Sequence, residues 1–595
     1  MSMPGLPVPL SEADIRHLAD FFDLELEEAL RSHQDREERL DKWQKAYDGE
    51  PATAKKDFPW PGACNVVIPL IGIAVDSIVA RIVNTLFSVE PFWSVRPLRP
   101  EVERLAKPVE GFLEWSRQNE FNMYNVVRRW IPEVVKFGWG YIKVPWELRT
   151  IRSFRPGAEG PELVERTLRR PNPQHILLRD IVPQAGLEDE LEQAEWLSQR
   201  FRLTDGQLRE REAEGIYGNV DAVIDHRRGS TTEGGFREKL SELFEIWAFV
   251  PPSPSARLPE SFVLTFHKPT KTVLRAIFNP NFNMRRGFVK AKFIEREGRL
   301  EGFGIGKRLF DMQEELTTIH CQQVDNATLA NTRFFIGRRG AVRPRTRIHP
   351  GRFLTVPDPE RDIKVVQLGD IYNSMRALSV EILAFAERAS GVSDPFLGRE
   401  SSVVGTRATA TGTLAILQEG NRRFDLNVRD IRDALSQVGR LVLELNHQHR
   451  PEGFPFFVQG ADGQLTEQIL RLPEEFLASR MAVELTASTA TINRDVERQG
   501  LITLLGVLTQ YYERTLQIGT LLVNPQVPSE LKELGARMAE GGRIIMERLV
   551  QSFNVKDIDA VLPSLMGGGD AVADSSRVFA AGEGNGALEG IPGLP

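Results

Sequence analysis

Cysteine is scarce in this sequence of 595 residues. The two cysteines, Cys64 and Cys321, stand 257 positions apart, so they cannot form a CxxC metal knuckle, and a framework of disulfide bonds would need more of them. This usage favours a protein of a reducing compartment. We expect both thiols to be buried as small apolar side chains.

Long apolar runs are also missing. The longest stretch without a charged residue, Phe58–Val75, contains three prolines, whereas a membrane-spanning helix needs about 20 mostly apolar residues. The N-terminal segment lacks the basic and apolar regions of a secretory signal. We therefore expect no membrane segment and interpret Phe58–Val75 as part of the core of a soluble protein.

The chain has no excess of positive charge. It carries 75 Lys and Arg against 82 Asp and Glu, which gives a net charge of −7. This balance excludes the simplest kind of nucleic-acid binder, one that covers phosphates with a large cationic surplus. Apolar residues make up 41% of the chain, enough to bury several cores, and the length predicts about three to five structural units.

Motifs for catalysis, metal binding and nucleotide binding are missing as well. The segment GFGIGK (Gly302–Lys307) is superficially similar to a phosphate-binding loop, but a Walker A loop has a longer spacer before the GK pair and a Ser or Thr after it. We interpret these glycines as a hinge where the chain passes from sheet into helix. His447 and His449 are two positions apart, so a helix would point them to different faces. We predict no catalytic residue, no metal, no cofactor and no enzymatic activity.

Apolar periodicity predicts a helix-rich α+β protein. Short aromatic and β-branched segments between Gly138 and Val289 predict strands, and the polar stretch Asp221–Phe236 predicts a surface loop. Helices are predicted at Ser11–Asp48, Pro69–Phe87, Val102–Asn119, Met123–Lys136, Lys307–Asn331, Ile371–Ala389, Thr406–His449, Arg494–Ile518 and Ser529–Phe553.

The predicted helix Thr406–His449 carries an apolar seam with alternating spacings of three and four. Such a seam is typical of a coiled coil or of core packing. We interpret it as packing within a helix-rich body rather than as a free coiled-coil dimer. Its positions are Leu414, Leu417, Asn421, Phe424, Val428, Ile431, Leu435, Val438, Val442 and Leu445.

The sharpest local charge is a cluster of arginines between two predicted helices. It holds seven arginines and no acidic residue, which indicates a surface for an anion or a partner, although a solvated face rich in turns is the plainer alternative. The cluster consists of Arg333, Arg338, Arg339, Arg343, Arg345, Arg347 and Arg352.

The segment Gly391–Gly405 (GVSDPFLGRESSVVG) links two long predicted helices. Connections between helices usually span about 2–8 residues, so the extra length indicates either a mobile functional loop or a plain long connector.

Taken in order, these parts make the chain resemble bacteriophage portal proteins, the ring-forming connectors between head and tail. Three segments carry the resemblance: PWPGACNVVIPLIGIAVDSIVARIVNTLF (Pro59–Phe87), GFGIGKRLFDMQEELTTIHCQQVDNATL (Gly302–Leu329), and GVSDPFLG followed by TRATATGTLAILQEGNRRF (Gly391–Phe424). The resemblance covers roughly residues 15–555.

The resemblance implies a portal fold with a wing, stem helices, a clip and a helical crown. The implied parts are a wing at 1–305 (N-terminal helices and an α/β region), a stem helix at 306–332, a clip at 333–369, a second stem helix at 370–390, a tunnel loop at 391–405, a long wing helix with wing strands at 406–490 and a helical crown at 491–555. The end of the chain is rich in glycine and has no apolar period, so its composition predicts a disordered tail at 556–595. The arginine cluster would then dock partners at the clip. The residues implied at the tunnel loop and DNA channel are Pro395, Phe396, Arg399, Glu400, Ser401 and Ser402.

The same resemblance implies a ring of twelve subunits around a channel for double-stranded DNA. Such rings occupy one capsid vertex of the virion and assemble in the host cytoplasm. Implied partners are the terminase large subunit, a head-tail adaptor, and the major capsid and scaffolding proteins. A packaging enzyme of the terminase ATPase and nuclease type, or another head-tail adaptor, remains as an alternative. Because DNA must slide, we expect channel surfaces that are mostly neutral or acidic, with few arginines such as Arg399 touching phosphates.

Overall fold

The computed structural model describes residues 5–51, 53, 56, 60–157, 160–188, 190–230, 240–332, 334–339, 356, 358, 360–366, 372–392, 410–459, 465–471, 481–486, 504–517 and 546. Its contacts divide the chain into two units, Met1–Thr489 and Ala490–Pro595. In the second unit, residues 504–517 are helical. The elements below all belong to the first unit.

The helices confirm most of the sequence predictions. The longest early helix begins after Ser11, whose hydroxyl accepts a hydrogen bond from the backbone N–H of Asp14, and it ends at Gly49, whose φ of 69° suits a residue without a side chain. The helices are α1 (Glu12–Asp48), α2 (Leu70–Leu86), α3 (Glu103–Asn119), α4 (Met123–Phe137), α5 (Asp205–Ala213), α6 (Val220–Ser230), α7 (Ile305–Asn331), α8 (Tyr372–Ser390) and α9 (Ala410–His449).

The strands pair antiparallel throughout the described sheets, so the chain is a mixed α+β protein. The strands are β1 (Trp93–Pro97), β2 (Trp139–Lys143), β3 (Trp146–Gly157), β4 (Gly160–Pro171), β5 (Gln174–Ile176), β6 (Ile181–Pro183), β7 (Trp196–Leu203), β8 (Ser241–Val250), β9 (Glu260–His267), β10 (Thr272–Phe278), β11 (Phe288–Lys292), β12 (Phe334–Gly337), β13 (Ile363–Val366), β14 (Phe454–Gln459), β15 (Leu465–Leu470) and β16 (Met481–Leu485). A five-stranded sheet has the order β10-β9-β8-β7-β6, a three-stranded sheet has the order β11-β2-β5, and the others are pairs.

The first half of α1 covers the five-stranded sheet. Leu18, Phe22 and Leu26 are buried together with Trp196 of β7 and Phe266 of β9. The spacing of four along α1 places these side chains on one face, which forms an apolar stripe against the sheet. The five-stranded sheet is thereby fixed to the start of the chain.

The largest core joins α2, α3 and α4 to α9. Six of the predicted seam positions of α9 are buried in this core, so the seam packs inside the subunit as the sequence indicated. They are Val428, Ile431, Leu435, Val438, Val442 and Leu445. The side chains at 410–425 lie outside the described residues.

The prediction for the polar stretch after α5 is wrong. The stretch that was expected to be a surface loop, Asp221–Phe236, is helical as far as Ser230. Val220, Val223 and Ile224 are buried against the sheet, and their spacing of three and four is the helical signal. The polar composition of the stretch masked a short amphipathic helix.

Candidate functional site

The helices α7 and α8 form an antiparallel pair, which we call the arm. Near the start of α7, the guanidinium of Arg308 donates a hydrogen bond to the carbonyl oxygen of Ala389 at the end of α8, at 3.1 Å. Further along, Leu316 and Ile319 of α7 pack against Ile382 of α8. Since positions rise along one helix as they fall along the other, the two helices run in opposite directions.

Close contact between backbones fixes the base of the arm. Gly138, after α4, has a φ of 108°, and a Cβ there would lie 2.5 Å from both Gly302 O and Gly304 N. Gly304 itself is extended, with a φ of −101°. The expected passage from sheet to helix therefore occurs here. Gly304 is needed for the close approach of the two backbones and not for rotational freedom, whereas Gly138 is needed for both.

Polar side chains on one face of α7 hold an extended segment, residues 63–69, which we call the strap. These side chains are four positions apart, and each bonds to the backbone of the strap or of the residue where the strap enters α2. Gln313 Oε1 accepts from Ile71 N at 2.8 Å, Thr317 Oγ1 accepts from Ile68 N at 3.3 Å, Cys321 Sγ donates to Val66 O at 3.4 Å, and Asp325 Oδ1 accepts from Cys64 N at 2.8 Å.

The spacing of these bonds has a geometric cause. Four residues of helix rise about 6 Å, and two residues of extended chain span about 6.6 Å. From Ile68 to Cys64 the strap therefore makes one hydrogen bond, which we call a rung, for each turn of α7. The interval from Ile71 to Ile68 is one residue longer, and it includes the start of α2. Sequence reasoning missed this arrangement, although polar residues recurring every four positions along α7 were a signal for it.

The strap also corrects the prediction for the cysteines. Both thiols are free, and Cys321 is buried as expected, but Cys64 is half-buried. The strap is a single extended layer over α7, so one side of Cys64 remains open.

The outer surface of α8 is apolar but exposed. Only Ile382 and Ala386 are buried among the residues of this helix. Leu378 (46% exposed) and Phe385 (48%) lie on one flank of the buried stripe, and Val380 (60%) and Leu383 (40%) lie on the opposite flank. Groups of exposed large apolar side chains are typical of contact surfaces, and α8 has one on each side.

Between α7 and α8 in sequence lies an antiparallel pair of short strands, β12 and β13, which we call the hairpin. Phe334 is paired to Val366, and Gly337 is paired to Ile363. The next residue, Arg338, donates its backbone N–H to Asp362 O at 2.9 Å. Asp362 is buried, and its carboxylate accepts from the backbone N–H of Asp358 at 2.8 Å. Two hydrogen bonds of Asp362 therefore stabilise the hairpin just beyond its last pair of strand residues.

Two arginines of the predicted cluster lie at this end of the hairpin. Arg338 and Arg339 are exposed and adjacent, so their charges are available to a partner. Lys364, on the paired strand, is also exposed. The other predicted members, Arg333, Arg343, Arg345, Arg347 and Arg352, lie outside the described residues.

The predicted tunnel loop is described only at its start. The arm ends at Ser390, and Gly391, with a φ of 75°, donates its N–H to Glu387 O at 2.8 Å. The predicted channel residues all lie outside the described residues: Pro395, Phe396, Arg399, Glu400, Ser401 and Ser402. So do most of the predicted crown and the whole of the predicted tail.

A cavity of about 450 Å³ lies between β11, α9 and the loop before β7. Its charged lining includes Glu190, Glu192, Arg285 and Arg440. The lining contains no Ser, Thr, Cys or His, so it offers no hydroxyl or thiol nucleophile with a histidine base. Across the residues that the structure describes, no group of three or more His, Cys, Asp and Glu side chains could hold a metal ion, and no described helix is long and apolar enough to cross a membrane.

A helical arm with apolar flanks and a basic hairpin at its end is suited to assembly with other protein chains. The family model described as Phage SU10 portal protein matches residues 18–160 and 257–542, which is most of the chain. The protein therefore belongs to the phage portal protein family, among the portal proteins of the SU10 type. A comparison with curated proteins found no match.

The segment between the two matched regions, residues 161–256, is part of the folded body. It contributes β6, β7 and β8, which are three of the five neighbouring strands in the five-stranded sheet. It also contributes the core around α5 and α6, where Leu208 and Val220 are fully buried. This region is therefore an integral layer of the subunit and not an appended domain.

Proposed function

We propose that this chain is the subunit of a portal ring that forms the channel for double-stranded DNA at one vertex of the capsid. DNA would enter through the ring during packaging and leave through it at ejection. The ring would dock the terminase large subunit first and head-tail adaptor proteins later, and it would help to initiate assembly of the procapsid with the major capsid and scaffolding proteins. Membership of the portal family supports this assignment, and its members are structural proteins without enzymatic activity.

The observation that carries the proposal is the pair of apolar flanks on α8. Leu378 and Phe385 face away from Val380 and Leu383, so one neighbouring surface could not cover both pairs. A helix in a closed ring has a neighbour on each side, because each copy makes a head-to-tail contact with the next. A ring of subunits therefore accounts for apolar surface on both flanks, and twelve is the number that we propose.

The parts of the portal fold follow from this assignment. The arm is the stem, with α7 and α8 as its helices, and the hairpin of β12 and β13 belongs to the clip. The body from the start of the chain to Gly304, together with α9 and β14–β16, is the wing. The crown is the helical region of 491–555, and 391–405 is the tunnel loop.

The clip is the proposed docking surface for terminase and adaptor. Arg338 and Arg339 are its described cations, and the remaining arginines of the cluster would extend the same basic surface. Charged groups at such a surface steer encounter and select partners more than they add affinity. The predicted channel residues, from Pro395 to Ser402, would face the DNA.

The channel itself should be largely free of cations. A subunit with a net charge of −7 gives a twelve-membered ring of about −84, which encloses a polyanion without gripping it. A lumen lined uniformly by arginine and lysine would contradict this part of the proposal, and measured mobility of DNA through such a ring would fall steeply at low salt.

The test is ring formation by the purified full-length chain, followed by native mass spectrometry and negative-stain electron microscopy. Leu383→Glu places a charge on one flank of α8, and we expect it to shift rings to single subunits. Leu24→Glu is the matched control, because Leu24 is 69% exposed on α1 and the change is chemically identical.

Circular dichroism separates loss of assembly from loss of folding, since both variants should keep the helical signal of the parent. Rings formed by Leu383→Glu as readily as by the parent chain would overturn the proposed role of α8. A parent chain that stays monomeric at every concentration, with and without scaffolding protein, would overturn the ring itself.

A further inference from the structure

The strap brings the two cysteines together. Cys64 N donates to Asp325, one helical turn beyond Cys321, and Cys321 Sγ donates to Val66 O, two residues along the strap from Cys64. The two thiols also lie close enough to hydrogen-bond to each other. Residues that are 257 positions apart in sequence are thus neighbours, held by one contact of the Cys64 backbone and one contact of the Cys321 thiol.

We propose that Cys64 and Cys321 are a thiol oxidation site, at which a peroxide converts the pair into a disulfide that staples the strap to α7. The site is independent of the proposed function, since it rests only on contacts within one subunit. It is also compatible with a reducing compartment, where the two thiols stay free until the protein meets an oxidant.

The chemistry assigns different roles to the two thiols. The Cys64 thiolate attacks one oxygen of the peroxide, the O–O bond breaks, and Cys64 becomes a sulfenic acid while the other oxygen leaves as water after protonation. The Cys321 thiolate then attacks the sulfenic sulfur, the S–S bond forms, and hydroxide leaves and is protonated to water. Two thiols lose two hydrogens in all, and hydrogen peroxide is reduced to two waters.

Access and burial set this order. Cys64 is half-buried and can meet a small oxidant, whereas Cys321 is buried at 4% exposure. Burial raises the pKa of the Cys321 thiol, and its hydrogen bond with Cys64 raises that pKa further. Cys64 is therefore the thiol that reacts first, and Cys321 is the one that resolves the sulfenic acid.

The hydrogen bonds of Gln313 and Thr317 to the strap favour a disulfide within one chain. Gln313 and Thr317 hold the strap on α7 whether or not the thiols have reacted, so the two sulfurs stay neighbours during the slower second step. A long loop of chain is already closed by these contacts, and oxidation does not have to bring its ends together.

The experiment treats the full-length protein with hydrogen peroxide and then counts free thiols and maps peptides by mass spectrometry. We expect the two free thiols per chain to disappear together, and a peptide pair joined through Cys64 and Cys321 to appear. The temperature of unfolding should rise on oxidation and return to its first value after dithiothreitol. In Cys64→Ser and Cys321→Ser, which cannot form this disulfide, oxidation should not raise it.

A variant that keeps both thiols tests the role of the strap. Thr317→Val removes one rung but no sulfur, and we expect it to slow disulfide formation while the Cys64 sulfenic acid, trapped by dimedone, accumulates. Disulfides between two chains, or sulfinic acid at Cys64 with Cys321 still free, would overturn the proposal. So would retention of both thiols in the folded protein under conditions that oxidise free cysteine.

Discussion

Gly304 at the base of the arm is the residue whose replacement should be most informative. In Gly304→Ala the new Cβ would lie 2.5 Å from the backbone nitrogen of Gly138 and 2.5 Å from the carbonyl carbon of Phe137, and closer still to the carbonyl oxygen of Lys136. All three atoms belong to the backbone, so no side chain can rotate away. The arm and the turn after α4 would have to separate.

The size of the effect follows from this geometry. Ordinary contacts of a Cβ begin near 3.4 Å, so the two segments must move apart by about 1 Å. Inserting a single methyl group into a packed core costs about 1–3 kcal/mol, and immovable neighbours place this site at the upper end. The movement also strains the hydrogen bond from Phe293 N to Gly138 O, 2.8 Å long, which adds about 0.5–1.5 kcal/mol. We expect the free energy of unfolding to fall by about 3–4 kcal/mol.

Urea unfolding followed by tryptophan fluorescence measures this loss, because Trp139 follows Gly138 and Trp43 packs against Gly306. Gly206→Ala is the matched control. Its Cβ would meet only Thr204 Oγ1, at 3.9 Å, and alanine is up to about 1 kcal/mol better than glycine within a helix. An unchanged midpoint in Gly304→Ala, or an equal loss in the control, would refute the steric explanation.

Three further variants test other parts of the body. Burial lowers the pKa of His33 to about 4, below its ordinary 6.5, so in mild acid the unfolded chain binds a proton that the folded chain does not bind. The free energy of unfolding should therefore fall by up to about 3 kcal/mol between pH 6.5 and 4. In His33→Gln, the urea midpoint should change less with pH than in the parent. Burial raises the pKa of Glu114, but hydrogen bonds led by the one from Arg117 outweigh burial and hold the pKa below its ordinary value. The resulting stabilisation is present at neutral pH and is lost as the pH falls through the pKa of the folded state. Glu114→Gln should therefore lower the free energy of unfolding by about 1–3 kcal/mol at neutral pH and by less in acid. Gly439→Ala should lower the unfolding temperature despite the helical preference of alanine, because its Cβ would lie 2.8 Å from the indole nitrogen of Trp93; a higher unfolding temperature would contradict the packing.

The helices were readable from the sequence because each has a local signal. In α1 the capping residue Ser11, the apolar spacing of four and the terminal Gly49 all agree, and none of them depends on the rest of the chain. The long strands β3 and β4 were not predicted, since most of their described side chains on both faces are exposed. A strand without a buried face lacks the alternation of apolar and polar residues that identifies one.

The candidate site was readable in part. The sequence indicated a basic cluster between two helices, and the structure places Arg338 and Arg339 at the end of the arm that those helices form. It could not indicate which side of α8 would remain uncovered, because burial depends on what α7 covers. The row of hydrogen bonds from Gln313 to Asp325 could not be predicted either, since their partners lie about 250 positions away and only the folded chain brings them together.

The arm combines contacts that hold the subunit together with an exposed apolar surface that a neighbouring copy could cover. Its base is fixed by contacts within the subunit, which are the glycine backbones at Gly138 and Gly304 and the rungs from α7 to the strap. The large apolar side chains on the flanks of α8, in contrast, are exposed. Stability of the subunit and assembly of the ring should therefore respond to different residues. Gly304→Ala should weaken the subunit, and Leu383→Glu should leave its unfolding midpoint unchanged while it blocks assembly. If Leu383→Glu also lowered the subunit's free energy of unfolding by several kcal/mol, the outer face of α8 would be holding the subunit together, and the case for a neighbouring copy on each flank would fail.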